Sequence, residues 1–307
     1  MDPRIREHAE ILIDHSVGLE EGDNVVISAP PVAEDLVVAL VEVIGDRGGK
    51  PLTLLGSDRV GRAYLKSAEE FDTPEHTLAM VEESDVHISV RANENVTETA
   101  DVDPETNSAH TQAMMPVREE RLSKQWNLTQ FPAPSNAQLA EMSTEAYENF
   151  VWDAVNKDWD EQGEFQAQMV EILDPAEEVR IVSGDSAEGT SASSQNSTSS
   201  GYTTDVTMSI AGNTTINDTG KHNLPGGEVF TAPVLDSVEG EVLFDKPLYH
   251  QGREVTGVYL RFEDGEVVEH SAEKNEDVLT EVLNADDGAR RLGELGIGMN
   301  RDIDQFT

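Results

Sequence analysis

The sequence predicts an α/β domain with a parallel sheet in the first half of the chain and an α+β, largely antiparallel domain in the second half. In the first half, short runs of β-branched residues alternate with helical patterns, which is typical of a parallel sheet covered by helices. In the second half, short strands with alternating polar and apolar residues follow one another closely. A length of 307 residues suits two domains of ordinary size.

The first half contains a strand–helix–strand unit. The strand NVVIS at 24–28 precedes the helical run EDLVVALVEVIGDRGG, which ends at two glycines, and PLTLLG at 51–56 is the next strand. Such a unit joins two parallel strands and places its helix on one face of the sheet. The pattern continues with predicted strands at 84–92 and 128–134 and a long predicted helix at 142–173.

The two halves are separated by a segment that has almost nothing to bury. Residues 183–201, SGDSAEGTSASSQNSTSSG, consist mainly of Ser, Thr and Gly. A phosphate-binding loop of the GxxxxGK[ST] type would need a lysine, and this segment has none, so we interpret it as a surface loop or linker. The predicted domains are therefore residues 1–182 and residues 202–307.

The second half is rich in strand signals. Its longest predicted strand region, at 253–272, is divided by Asp264-Gly265, a pair typical of tight hairpin turns. A helical run at 275–292 follows. The succession of short strands and one helix predicts a mainly antiparallel sheet.

Acidic residues dominate the composition. The chain has 61 Asp and Glu against 21 Lys and Arg, which gives a formal net charge of −40. This balance argues against nucleic acid or an anionic membrane as a partner, because both attract basic surfaces. The acids are spread along a chain with regular apolar periodicity, which disfavours a disordered acidic chain and a single acidic binding region. We interpret the excess as halophilic adaptation to a salt-rich cytosol, where charge repulsion is screened.

Several other classes are disfavoured by what the sequence lacks. It has no Cys, which excludes disulfides, zinc–thiolate sites and a thiol nucleophile. The first 30 residues lack the unbroken apolar core of a signal peptide, and no apolar run is long enough to span a membrane, so we expect a cytoplasmic protein. HExxH, GxSxG and GxGxxG motifs are absent, and a nucleotide-binding role for the first half would rest on fold alone.

Two glutamates have unusual surroundings in the sequence. Glu228 follows a Pro-Gly-Gly turn and precedes the β-prone Val-Phe-Thr in NLPGGEVFTAP. If 292–299, LGELGIGM, is a strand, Glu294 shares one face with Gly296 and Gly298, which leave an open slot above the backbone. A carboxylate beside such a slot suits a hard or borderline cation. An edge strand with one solvated glutamate is the alternative interpretation.

The segments around both glutamates resemble a known family. NLPGGEVFTAP, with the preceding TDVTMSIAGNTTINDTGKHN and the following VEGEVLFDKPLYHQGREVTGVYLRFEDGEVVEHSA, closely resembles the metallo-aminopeptidases of the aminopeptidase T and aminopeptidase S family, the thermophilic-type metalloproteases. LNADDGARRLGELGIGMNRDI resembles the next block of that family. MSTEAYENFVWDAVNKDW and GLEEGDNVVI resemble its N-terminal domain, so the resemblance covers nearly the whole chain.

The resemblance implies an activity and a site. It implies an enzyme that releases N-terminal residues from peptide substrates, uses two divalent metal ions such as zinc or cobalt, and assembles as a homodimer. It identifies Glu228 and Glu294 as metal-ligating glutamates. The implied mechanism is hydrolysis by a metal-activated water molecule, and whether either glutamate is the general base stays open.

The chain departs from the family pattern after the GELGIG block. In the family the other ligands, histidines and an aspartate with a tyrosine nearby, follow that block, whereas this sequence ends at Thr307. Two carboxylates do not complete a two-metal site, because zinc takes about four ligands per ion. We therefore expect a C-terminally truncated, incomplete catalytic domain with impaired peptidase activity. The alternative is a non-catalytic, degenerate subunit that dimerises or binds peptides.

Overall fold

The computed structural model describes residues 2–183, 204–250 and 253–305. The predicted linker at 183–201 lies, apart from Ser183, outside the described residues, and the domain limits 1–182 and 202–307 stay predictions. The chain forms two compact units, each assembled from separate stretches of sequence. The first unit comprises Met1–Glu164, Asp218–Gly227 and Met299–Thr307, and the second comprises Phe165–Asn217 and Glu228–Gly298.

The strands and helices are numbered in chain order. The strands are β1 (Asn24–Ala29), β2 (Lys50–Leu55), β3 (Val86–Arg91), β4 (Gln125–Gln130), β5 (Glu178–Ser183), β6 (Thr204–Ser209), β7 (Ile216–Asp218), β8 (Asn223–Leu224), β9 (Glu228–Thr231), β10 (Glu239–Phe244), β11 (Leu248–His250), β12 (Arg253–Val255), β13 (Val258–Glu263), β14 (Glu266–Ser271) and β15 (Leu295–Gly298). The α-helices are α1 (Pro3–Glu10), α2 (Glu34–Asp46), α3 (Asp58–Ser67), α4 (Glu75–Glu82), α5 (Pro104–Ala113), α6 (Met115–Leu122), α7 (Pro134–Leu139), α8 (Thr144–Val155), α9 (Trp159–Leu173) and α10 (Glu276–Leu283). A π-helical turn, Ile11–Ser16, extends α1, and a short 3₁₀ turn, Pro31–Ala33, precedes α2.

The first unit is built on a parallel sheet with the strand order β2-β1-β3-β4-β8. Every neighbouring pair in this sheet is parallel. The apolar side of α2, including Leu36, Leu40 and Ile44, is fully buried against the sheet together with α1. Trp152 and Trp159 are also buried in this core. The parallel half of the predicted fold is therefore present.

The second unit is dominated by an antiparallel sheet with the order β14-β13-β10-β6-β5. Asp264 and Gly265 join β13 to β14 with backbone φ angles of 49° and 76°, the left-handed geometry that tight hairpin turns require. The predicted hairpin is therefore confirmed. A three-stranded sheet of order β15-β9-β7 and the hairpin β11-β12 complete the strands described.

Three predicted elements are placed differently by the structure. The strand predicted at 128–134 lies at Gln125–Gln130, because Pro132 beyond it has no N–H for a sheet hydrogen bond. The helix predicted at 142–173 is two helices, since the Asp158 carboxylate accepts hydrogen bonds from the N–H groups of Asp160 and Glu161 and begins α9. The helix predicted at 275–292 ends at Leu283. Among the described residues, no helix is long and apolar enough to cross a membrane.

Candidate metal-binding site

The strands β9 and β15 place the two predicted glutamates beside each other. They pair antiparallel, with Glu228 opposite Gly298 and Phe230 opposite Gly296. Residues directly opposite in an antiparallel pair share a face of the sheet. The strand predicted at 292–299 is shorter than expected, because β15 spans Leu295–Gly298 and Glu294 lies just before it.

The two carboxylates converge above Gly296. A Cβ atom on Gly296 would lie 3.2 Å from Oε2 of Glu228 and 3.8 Å from Oε1 of Glu294. Both oxygens thus lie within 4 Å of one point above the backbone. A Cβ on Gly298, farther along the same strand, would meet nothing within 4 Å. The absence of a side chain at Gly296 leaves the space between the carboxylates open.

A buried glutamine holds the backbone at Glu228. Gln166, on α9, is 0% exposed, and its Nε2 donates to the Glu228 carbonyl at 3.1 Å and to Oδ1 of Asn217 at 2.6 Å. Buried amide groups are costly unless they are hydrogen-bonded, so these bonds fix β9 against α9. Gln166 was not identified from the sequence. A single polar residue on the buried side of a helix was the one signal that could have indicated it.

The turn that leads into β9 depends on glycine. Gly227 has a φ of +104°, and a Cβ there would collide with Cβ of Asn300. The Gly227 carbonyl accepts hydrogen bonds from the N–H groups of Met299, at 2.7 Å, and Asn300, at 2.9 Å. Asn300 is itself buried, and its Nδ2 donates to the Ala154 carbonyl at 3.0 Å. The Pro-Gly-Gly sequence therefore provides a tightly packed turn directly before Glu228.

Asp218 is an acid near this turn whose pKa is perturbed. Its backbone carbonyl accepts the N–H of Gly227 at 3.0 Å, and its carboxylate accepts the N–H of Gly220 at 3.1 Å. Burial raises the pKa of the Asp218 carboxyl, and the Gly220 hydrogen bond and His222 act in the opposite direction. Asp218, the last residue of β7, thus stabilises the turn through these two hydrogen bonds.

The arrangement fits part of a divalent-metal site. Two carboxylate oxygens with an unobstructed gap between them match the oxygen ligands that such ions accept. Glu228 is half-buried and Glu294 is exposed, so the gap is open to solvent on one side. Within 2–183, 204–250 and 253–305, no group of three or more His, Cys, Asp or Glu side chains is positioned to hold a metal ion. The pair would supply two ligands of a larger set.

The chain is similar, in sequence and in structure, to metalloproteases and aminopeptidases. The chain matches the thermophilic metalloprotease family, M29, over residues 1–307. It is 30% identical to aminopeptidase T of Thermus aquaticus over 94% of this chain and 76% of that protein. It is 27% identical to aminopeptidase 2 of Geobacillus stearothermophilus over 96% of this chain and 76% of that protein. The solved structure of wild-type AmpT from Thermus thermophilus matches with a TM-score of 0.80 and 25% identity, covering 96% of this chain and 78% of that one.

The fold and the full-length family match place this chain among the metallopeptidases. It belongs to the thermophilic metalloprotease family M29. The predicted family resemblance is confirmed, and so is the fold class, a parallel α/β part followed by a largely antiparallel part. The roles of Glu228 and Glu294 as metal ligands stay a prediction.

Proposed function

We propose that this protein is a metal-dependent aminopeptidase that releases N-terminal residues from peptides. The observation that carries the proposal is the convergence of the Glu228 and Glu294 carboxylates above Gly296 in a member of a metalloprotease family. The named relatives are aminopeptidases, which supports the same substrate class.

Each residue of the site has a distinct part in this proposal. Glu228 and Glu294 would hold divalent metal, zinc or cobalt, with two ions in the complete site. When bound, such ions lower the pKa of a water molecule and polarise the scissile carbonyl. Gln166 keeps the Glu228 backbone in register through the hydrogen bond to its carbonyl, and Gly296 keeps the gap between the carboxylates clear.

A second candidate function is a non-catalytic subunit that dimerises or binds peptides. It is favoured by the ligand set, because in the described part of the chain no group of three or more His, Cys, Asp or Glu side chains is positioned to hold a metal ion. In that case the 307-residue chain would be impaired in peptidase activity and would bind peptides without cleaving them.

Metal content and hydrolysis measured together distinguish the two candidates. Zinc and cobalt binding should be determined alongside hydrolysis of Leu-p-nitroanilide in high salt. Glu228→Gln and Glu294→Gln should each lower metal binding at least about tenfold, because each removes a charged ligand oxygen. Glu178→Gln, at the exposed start of β5, makes the same charge change and should leave metal binding unchanged.

Each outcome of these measurements supports one candidate function or contradicts the proposed metal site. Metal-dependent hydrolysis that is lost in both variants supports the aminopeptidase. Peptide binding with less than one metal ion per chain and no hydrolysis supports the non-catalytic subunit. Metal binding equal in the wild type and in both variants would contradict the proposed site itself.

We also propose a salt-rich cytoplasm as the setting and a homodimer as the working form. The net charge of −40 supports the first, since molar salt screens self-repulsion. The second is supported by β2, an edge strand of the parallel sheet that exposes Leu52 outside the lining of any described pocket. Sedimentation and thermal unfolding in low and molar KCl test both. A monomer whose stability does not change with salt would contradict them.

A further inference from the structure

The first unit contains an open crevice of about 730 Å³ at the carboxyl ends of β1, β2 and β3. This size lies within the range of about 300–1,000 Å³ that is typical of small-molecule sites. In the strand order β2-β1-β3-β4 the chain moves from β1 to one side and then crosses to the other side at β3. In open parallel sheets, ligands bind outside the carboxyl ends of the strands at such a reversal of strand order.

The floor of the crevice is a row of four side chains across the sheet. The register aligns Ser28 of β1 with Leu54 of β2 and with Ser89 of β3, and aligns Ser89 with Leu128 of β4. All four residues line the crevice. The two central serines are half-buried, and neither hydroxyl has a hydrogen-bond partner among the described residues. The floor therefore has two hydroxyl groups in its middle and leucines at its sides.

Opposite charges without partners also line this crevice. Arg91 lies two residues beyond Ser89 on β3, and Asp58 is the first residue of α3, directly after the β2 strand and its short connection. Neither side chain forms an ion pair or hydrogen bond within the described ranges. Arg91 and Asp58 are thus free to pair with a ligand that carries both charges.

The surroundings disfavour a phosphate ligand. The connection from β1 to α2, Pro30–Ala33, contains no glycine, and the one glycine that lines the crevice, Gly56, lies between β2 and α3. The first turn of α2 carries Glu34 and Asp35, and α3 begins with Asp58. These acids would repel a polyphosphate at the positions where helix N-termini otherwise attract one.

We propose that this crevice binds a free α-amino acid with an apolar side chain. The α-carboxylate pairs with the Arg91 guanidinium, whose planar fork suits carboxylates. The α-ammonium pairs with the Asp58 carboxylate, and Ser28 and Ser89 supply further hydrogen bonds. The apolar side chain lies against Leu54 and its neighbours.

The binding proposal does not require peptidase activity. It rests on the proposed function in one respect only, because an aminopeptidase releases ligands of this class. Where that activity is present, the crevice is a product-binding site on a different unit from the Glu228–Glu294 pair.

The test is calorimetric titration of the EDTA-treated protein with L-leucine, at a KCl concentration in which the protein is folded. It should be run in the wild type and in a background that carries both Glu228→Gln and Glu294→Gln. L-Leucine should bind in both backgrounds, because no metal ligand is involved. Arg91→Gln and Asp58→Asn should each weaken binding at least about tenfold, the effect expected for loss of a hydrogen bond to a charged group.

Matched controls exist for both substitutions. Arg118→Gln, on α6, and Asp174→Asn, directly after α9, make the same charge changes at exposed positions that do not line the crevice. Both should leave leucine binding unchanged. Leucinamide and N-acetylleucine, which lack one charge each, should bind at least about tenfold more weakly than leucine.

Three results would overturn the proposal. The first is the absence of leucine binding in protein whose thermal unfolding is normal. The second is leucine binding that is insensitive to both Arg91→Gln and Asp58→Asn, or that is lost with the two glutamates of the metal site. The third is Arg91-dependent binding of inorganic phosphate or a nucleoside monophosphate in protein that does not bind leucine. That result would identify the crevice as a site for phosphate esters.

Discussion

Gly296→Ala is the substitution that most directly tests the role of the gap between the two carboxylates. The added Cβ would lie 3.2 Å from Oε2 of Glu228 and 3.8 Å from Oε1 of Glu294. The first distance is closer than an ordinary van der Waals contact, so the Glu228 carboxylate must move by a few tenths of an ångström. Gly298→Ala is the matched control, because its Cβ would contact nothing within 4 Å on the same strand.

The two variants should have similar stability and different metal affinity. Replacing glycine by alanine at an unstrained position stabilises a protein by about 0.4–1 kcal/mol, because the unfolded chain loses freedom. We expect a change of this sign for Gly298→Ala and a smaller gain for Gly296→Ala, which has to displace a side chain. Mutation of groups that orient metal ligands costs about 10–100-fold in metal affinity, and we expect a loss in this range for Gly296→Ala alone.

The assay is competition for zinc and for cobalt against a chromophoric chelator, with urea unfolding of the same samples. We expect metal affinity to fall for Gly296→Ala and not for Gly298→Ala, while both variants stay folded. Equal metal affinity in the wild type and in Gly296→Ala would refute the view that this gap holds the ion. Equal losses in both alanine variants would point to the backbone of β15 instead of the carboxylates.

Two further predictions concern the free energy of unfolding. Gly227→Ala should lower it by about 3 kcal/mol or more, because the strain of a φ of +104° adds to the collision with Asn300. Gly212→Ala, with a φ of +78° and no contact within 4 Å, should lower it by about 1–2 kcal/mol. Equal losses of stability in urea unfolding would show that the turn can relax. Burial lowers the pKa of His8 from 6.5 to about 3, so between these values the unfolded chain carries a proton that the folded chain lacks. Stability should therefore fall as the pH drops below 6.5, by at most about 1.4 kcal/mol per pH unit from this residue. His8→Gln should remove that contribution while the exposed His76→Gln does not, and identical pH slopes in the two variants would contradict the assignment.

The site could be predicted in part from the sequence. The alternation of Glu294, Gly296 and Gly298 and the Pro-Gly-Gly turn before Glu228 are local sequence patterns. The structure contains the open space at Gly296 and the tight turn at Gly227 that these patterns predict. The contribution of Gln166 could not be predicted, because its partners Asn217 and the Glu228 carbonyl are distant in sequence.

Individual residues explain why two predicted elements have different limits in the structure. Apolar periodicity identified a strand near 128–134, but the missing N–H of Pro132 shifted the paired segment to Gln125–Gln130. The long helix predicted at 142–173 contained its own interruption, since Asp158 is a strong helix N-cap. Both signals were present in the sequence and were outweighed by the periodicity around them.

The sequence by itself determined the class of fold, the acidic surface, the Asp264-Gly265 hairpin and the two glutamates in glycine-rich surroundings, because each follows from residues that are neighbours in the chain. The tertiary structure alone decided that β9 pairs with β15 in the register that brings Glu228 and Glu294 to either side of Gly296. It also decided that Ser28 and Ser89 lie side by side at the switch in strand order. Pairing between distant strands depends on how whole elements pack, and the period of a single strand contains no information about its partner.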